Sequence, residues 1–299
     1  MDAFYLDQSR LVVEVLPFVS QEENFALKGG TAINLFENDL PRLSVDIDLT
    51  FLPVTERTVA IREINAALAR ICDKLNQESF SAHLSGSEVS RKILCSRGQV
   101  VIKIEPNFIL RGTVFPVRKM DVCPKAEDLL GYCNINVLSR PELYGGKFCA
   151  ALDRQHPRDL FDVAQFFKRG GRVDEVKNGF LALALGHNRP LHELLAPNCL
   201  DQSGTFDAQF AGMSDVPFSH DDHIATFNKL VADINASLTS EDRERLVAFT
   251  ALEVDADVFG IPGLERLPAI CWKRRNLETL RDKDTCKFAE NVKSLERAL

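Results

Sequence analysis

The amino-acid sequence predicts an α+β fold, with a small mixed sheet in the first half of the chain and helices in the second. Three observations lead to this prediction. Two glycines, Gly29 and Gly30, separate a short apolar run from a short helical pattern. Apolar and polar residues then alternate strictly over residues 44–50, which is typical of a half-buried β-strand. From Pro141 onward, apolar residues recur at helical spacing.

Composition is consistent with a globular protein of two domains. The chain has 299 residues, of which 45% are hydrophobic and 26% charged. That length suffices for two domains, which we expect over residues 1–138 and 139–299. The net charge of -7 excludes a generally basic surface, so any contact with a polynucleotide would use a local basic patch.

Targeting and cysteine patterns predict a cytoplasmic protein. No apolar run approaches the roughly 18 residues that span a membrane, and the first residues lack the pattern of a signal peptide. None of the eight cysteines forms a Cys-x-x-Cys pair. We therefore expect no membrane partner, and cysteines that serve as small apolar residues in a reducing compartment.

The first half of the chain reads as helix, strand, helix and then several strands. Apolar spacing predicts helices over residues 11–18 and 55–75. Alternation predicts the strands over residues 81–84, 91–95, 100–106, 114–122 and 135–138. This order favours a small mixed sheet covered by helices on one face.

The glycine pair and the following strand supply the first candidate site. Glycines let the backbone turn sharply and approach a ligand, and Thr31 is expected to cap a helix over residues 32–37. A helix N-terminus presents free N–H groups that suit phosphate. On the strand, Asp46 and Asp48 share one face, about 7 Å apart, and can hold divalent cations. Taken alone, such a pair of aspartates is more typical of the solvent-exposed face of a half-buried sheet.

A second candidate block lies in the helical half. Ser139 and Pro141 are typical of a helix start, and that helix places Lys147 and Arg154 on one face. Pro157 then opens a helix that carries Arg158, Asp159 and Asp162. Ordinary surface ion pairing is the alternative interpretation of these charges.

The rest of the chain predicts structure rather than chemistry. Helical patterns cover residues 173–185, 221–236, 240–252 and 276–299, with a loop-rich connection over residues 198–218. His220 and His223 have a spacing that suits a metal, but a capped helix start is the stronger interpretation of this segment.

The order of these motifs resembles a known family. Gly-Gly-Thr-Ala-x-x-Leu from Gly29, followed by Arg-x-Ser-x-Asp-x-Asp from Arg42, resembles the AbiEii-type toxins of the polymerase-beta-like nucleotidyltransferase superfamily. The block from Lys147 to Asp162 is similar to a second motif of that family. The resemblance covers roughly the first 170 residues.

This resemblance implies a fold and a reaction. It implies a polymerase-beta-like nucleotidyltransferase domain, followed by a helical domain that completes an active-site cleft. The implied reaction transfers a nucleotide from an NTP and releases pyrophosphate. Asp46 and Asp48 would hold Mg²⁺ with Glu105 as the third ligand, although this branch more often has Asp at that position.

The same resemblance assigns the other site residues. Phosphates would be positioned by Gly29, Gly30, Thr31 and Ser44. Lys147 would neutralise triphosphate charge, assisted by Arg154 or Arg158, and Asp159 and Asp162 would orient these cations.

The family also suggests an acceptor and a partner. The acceptor would be RNA such as a tRNA 3′ end, and a cognate antitoxin would be encoded alongside. Two other interpretations stay open: a nucleotidyltransferase that modifies a small molecule or a protein, and a non-catalytic nucleotide-binding protein.

Overall fold

A computed structural model describes residues 1–299, which form two compact units. The first comprises Met1–Ser139 together with Phe210–Pro217, and the second comprises Arg140–Gln209 together with Phe218–Leu299. The sequence prediction assigned all of residues 139–299 to the second domain. Residues 210–217 lie in the first unit because Leu43 N–H donates to the Met213 carbonyl and Asp2 N–H donates to the Gly212 carbonyl, both at 2.8 Å.

The first unit is a seven-stranded mixed sheet with helices. Its elements are α1 (Ala3–Val19), β1 (Phe25–Lys28), α2 (Gly29–Ala32), a π-helix (Ile33–Glu37), β2 (Asp46–Phe51), α3 (Arg57–Gln77), β3 (Ser81–Ser85), β4 (Lys92–Arg97), β5 (Val100–Asn107), β6 (Arg118–Asp121), α4 (Pro124–Leu130) and β7 (Asn134–Val137). The strand order is β3-β4-β5-β2-β1-β7-β6. The pairs β2–β5 and β1–β7 are parallel, and the other neighbours are antiparallel. The mixed sheet predicted from sequence is therefore confirmed.

Strand alternation decides which face of the sheet carries chemistry. Ile47 and Leu49 on β2 are fully buried, as is Ile104 on β5, while α1 packs against β2 and β5 and α3 packs against β3 and β4. Burying each aliphatic side chain contributes about 1.5–3 kcal/mol. The polar residues between them are thereby fixed on the opposite face.

Two predictions for the first unit are wrong in detail. The predicted strand over residues 114–122 is shortened to β6, Arg118–Asp121. The helix after the glycine pair begins at Gly29 itself, with Lys28 in the N-cap position, so Thr31 is not its cap. That helix continues as the π-helix Ile33–Glu37.

The second unit is helical. Its α-helices are α5 (Arg140–Arg154), α6 (Pro157–Lys168), α7 (Val173–Leu185), α8 (Leu191–Leu195), α9 (Ser203–Gln209), α10 (His220–Ser237), α11 (Ser240–Thr250), α12 (Pro268–Lys283) and α13 (Thr285–Ala298). Short 3₁₀ turns cover Ala256–Phe259 and Leu264–Arg266. Helices α5 and α7 pack so closely at Gly179 that a Cβ there would lie 2.0 Å from the Pro141 carbonyl oxygen. None of the helices is both long and apolar enough to cross a bilayer.

The later helices depart from the sequence prediction in two places. The single helix predicted over residues 276–299 is broken at Asp284, whose side chain accepts a hydrogen bond from Lys287 N–H at 2.9 Å and so caps α13. The predicted loop over residues 198–218 contains the short helix α9. The predicted helix start at His220 is confirmed, since Ser219 and Asp222 form a capping box there.

Candidate active site

The carboxylates singled out by sequence share one face of the sheet in the first unit. Strands β2 and β5 run parallel, with Asp46 opposite Lys103 and Asp48 opposite Glu105. Residues that pair directly across two strands project from the same face. Asp46, Asp48 and Glu105 are each partly exposed, so this face presents three carboxylates on two neighbouring strands.

The glycine turn lies against one of these carboxylates. Gly29 has a φ of +71°, and a Cβ built there would lie 2.5 Å from Asp48 Oδ2. A Cβ at Gly30 would lie 2.6 Å from Arg42 Nη2. Glycine at these two positions lets the backbone approach the carboxylate and the guanidinium closely. The backbone at the start of α2 therefore lies beside the carboxylate face.

Two buried hydroxyl groups connect this turn to β2. Thr31 Oγ1 donates to Ser44 Oγ at 2.8 Å and also contacts the backbone carbonyl of Asp46. The Ser44 carbonyl in turn accepts a hydrogen bond from Ser9 Oγ at 3.0 Å. These bonds fix the backbone at the start of β2, where Asp46 lies. The expectation that Thr31 and Ser44 position phosphate stays a prediction.

Glu105 is engaged by a lysine on the neighbouring strand. Lys92 Nζ on β4 lies 2.9 Å from Glu105 Oε1. The hydrogen bond to Glu105 and the charges of Glu105 and Asp46 raise the pKa of Lys92 above its usual value. The ammonium group therefore faces the carboxylates as a full positive charge.

These contacts decide how well the face suits a magnesium ion. No three acidic, histidine or cysteine side chains form a ready-made metal cluster, and the role of Glu105 as a third ligand beside Asp46 and Asp48 stays a prediction. Mg²⁺ is usually held by one or two carboxylates, with waters and substrate phosphates completing its shell. Asp46 and Asp48 fit that pattern as a pair of hard oxygen donors, whereas Glu105 is held by Lys92.

A buried charge cluster lies in the second unit. Lys147 Nζ on α5 lies 2.7 Å from Asp159 Oδ1 and 2.9 Å from Asp162 Oδ2, both on α6. Arg154 Nε lies 2.6 Å from Asp159 Oδ2. The prediction that Lys147 pairs with Asp159 or Asp162 is confirmed, and it pairs with both.

The burial of this cluster was not predicted. The Lys147 side chain is 6% exposed and those of Asp159 and Asp162 are 2% and 0% exposed. Burial would raise the pKa of Asp159, but the charges and hydrogen bonds of Lys147 and Arg154 outweigh it and lower the pKa well below its usual value. Asp159 is therefore ionised. Arg154 remains 61% exposed, and Arg158 is partly exposed.

Sequence reasoning missed the lysines of the carboxylate face. Lys28 on β1 pairs with Asp48 in the register, and Lys103 pairs with Asp46. Together with Lys92 they place a lysine beside each of the three carboxylates. Strand alternation assigns each lysine a face, but only the strand order and register reveal which carboxylate it accompanies.

The mixed sheet, the paired aspartates and the adjoining glycine turn define a protein of the nucleotidyltransferase class. The model of the family described as "Nucleotidyl transferase AbiEii toxin, Type IV TA system" matches residues 10–250. The chain belongs to this family, and it is therefore a nucleotidyltransferase toxin.

A solved structure supports the fold independently. The chain is similar to MenT4, a nucleotidyltransferase toxin from Mycobacterium tuberculosis H37Rv, with a TM-score of 0.59 and 14% sequence identity. The match covers 98% of this chain and 95% of MenT4. No curated protein sequence matches the chain.

Substituting Gly29 with alanine should impair both stability and activity. The left-handed backbone costs a residue with a Cβ about 1–2 kcal/mol, and the methyl group would also displace the Asp48 carboxylate. We expect a loss of about 2 kcal/mol in the free energy of unfolding and a large loss of turnover. Urea denaturation and nucleotide incorporation measure the two effects. Gly98→Ala is the matched control, because Gly98 also has positive φ but nothing lies within 4 Å of its Cβ position; equal losses in both variants would contradict a specific role for Gly29.

Proposed function

We propose that this toxin transfers a nucleotide from an NTP to a hydroxyl group of RNA, such as a tRNA 3′ end, in a Mg²⁺-dependent reaction that stops translation. The observation that carries the proposal is the pair Asp46 and Asp48 on one sheet face, with the backbone of Gly29 against Asp48. Paired carboxylates bind metal, and N–H groups at a helix start bind phosphate. Together they suit a metal-bound triphosphate.

The metal would be held by Asp46 and Asp48. When bound, Mg²⁺ supplies charge neutralisation for the triphosphate and activation of the attacking hydroxyl. The backbone N–H groups at Gly29 and Gly30 would bind phosphate oxygens, and the bonds among Thr31, Ser44 and the Asp46 backbone would keep β2 in place beside them.

The family resemblance also assigns a role to the cluster of Lys147, Asp159 and Asp162. Lys147 would neutralise phosphate charge as a point cation, with Arg154 or Arg158 assisting. Asp159 and Asp162 would orient Lys147, to which both are bonded. These roles follow from the family resemblance together with the observed ion pairs.

A partner follows from the family. A toxin of a type IV toxin–antitoxin system implies a cognate antitoxin, and we propose that growth inhibition by this chain is relieved by one encoded alongside it, in a system that acts against phage.

The acceptor is tested by incubating the protein with tRNA and each of the four α-³²P-labelled NTPs. We expect label on tRNA with one preferred NTP, and none on tRNA whose 3′ end has been oxidised with periodate. Parallel reactions contain total protein or a small-molecule extract. Label on either of these in place of RNA would overturn the proposed acceptor, and nucleotide binding without any transfer would indicate a non-catalytic protein.

A further inference from the structure

Each carboxylate of the candidate site has a lysine beside it, and Lys92 forms an ion pair with Glu105. Lys28 lies opposite Asp48, and Lys103 lies opposite Asp46. We propose that Lys92 holds Glu105 in the protein without nucleotide and releases it when a triphosphate binds, so that a divalent cation binds tightly only together with nucleotide. This inference rests on the proposed function.

The position of Lys92 follows from the sheet register. Strands β4 and β5 are antiparallel, with Ile93 opposite Ile104, so Lys92 stands at the level of Glu105. Asp48 lies opposite Glu105 on the other side, on β2. An ammonium group in this position uses one carboxylate oxygen of Glu105 that a metal would otherwise take.

The ion pair between Lys92 and Glu105 is partly exposed and is therefore weak enough to be broken by a ligand. The side chains of Lys92 and Glu105 are 33% and 38% exposed, and ion pairs at such sites are weak because water screens them. A bound triphosphate offers Lys92 several anionic oxygens in place of one carboxylate. Lys92 would then move from Glu105 to phosphate, leaving Glu105 able to complete the metal shell.

The competing interpretation is a purely structural ion pair between the neighbouring strands β4 and β5. Such a pair would stabilise β4 against β5 but would leave metal affinity unchanged. Metal affinity measured in the absence of turnover therefore separates the two interpretations, because this affinity depends directly on Glu105.

The experiment measures Mn²⁺ binding from the free-ion signal in electron paramagnetic resonance. The wild type, Lys92→Met and Lys119→Met are compared with and without the α,β-methylene analogues of the four NTPs. Lys119→Met is the matched control, since Lys119 is an exposed strand lysine on β6. Removing one cation beside the site should tighten nucleotide-free Mn²⁺ binding by about tenfold, and Lys119→Met should behave as wild type. Nucleotide should tighten Mn²⁺ binding more in the wild type than in Lys92→Met.

Combining Lys92→Met with Asp46→Asn should abolish the tighter Mn²⁺ binding expected of Lys92→Met alone. That result would place the metal at Asp46. Lys92→Gln, which retains a polar group at the start of β4, should behave as Lys92→Met, and its melting temperature shows whether the fold is kept. Unchanged Mn²⁺ affinity in both folded Lys92 variants, with weaker nucleotide-dependent binding in Asp46→Asn, would overturn the inference while the metal site stands. If Asp46→Asn binds Mn²⁺ as wild type does, the proposed metal site is wrong and the inference falls with it.

Discussion

Replacing Asp46 or Asp48 with asparagine is expected to lower nucleotidyl transfer by about 10³-fold or more while the fold stays intact. Removing one electrostatic stabiliser of a transition state costs about 10²–10³-fold, and these carboxylates would carry the metal on which the reaction depends. Asparagine keeps the size of the side chain but removes its charge. The bond from Thr31 to the Asp46 backbone does not involve the carboxylate, so it survives the substitution.

Turnover and thermal melting measured on the same preparations separate catalysis from folding. We expect melting temperatures within a few degrees of wild type, because both side chains are partly exposed. Asp73→Asn is the matched control, an exposed aspartate on α3 outside the carboxylate face. A double Asn variant that still turned over NTP would end the metal proposal.

Local patterns were sufficient to predict much of the fold. Strand β2 was predictable because its side chains alternate between a buried face and a more exposed face, and β5 follows the same pattern. Helix α7 was predicted with its observed bounds, since its apolar spacing ends at Gly186. By contrast, residues 210–217 lie in the first unit through backbone bonds to Asp2 and Leu43, which no local pattern encodes.

The candidate site was predictable by residue but not by arrangement. The alternation put Asp46 and Asp48 on one face, and the structure confirms this placement. The pairing of Glu105 with Lys92 depends on β4 lying beside β5, and strand order is a long-range property. The burial of Lys147 likewise depends on how α5 and α6 pack, so sequence spacing predicted its partners but not its exposure.

Replacing Lys147 with alanine is expected to destabilise the protein by about 3–5 kcal/mol, because breaking a buried ion pair leaves an uncompensated charge. Asp159 and Asp162 would both remain buried after Lys147 is removed, and Asp159 would keep its bond to Arg154. Urea denaturation measures the loss. Arg172→Ala is the control, since Arg172 and its ion-pair partner Asp174 are 72% and 59% exposed and the loss should be less than about 1 kcal/mol.

Turnover per folded molecule should fall as well, by about 10²-fold or more, because the proposed counter-charge to phosphate would be lost. The pair Lys147→Met with Asp162→Asn separates this effect from stability. Neutralising a buried ion pair with residues of similar size is often neutral for stability, so the double variant should regain much of the lost unfolding free energy but not the activity. Lys147→Arg should restore activity only in part, since a planar guanidinium does not reproduce a point charge. Recovery of both stability and turnover in the double variant would show that Lys147 serves only the packing of α5 on α6.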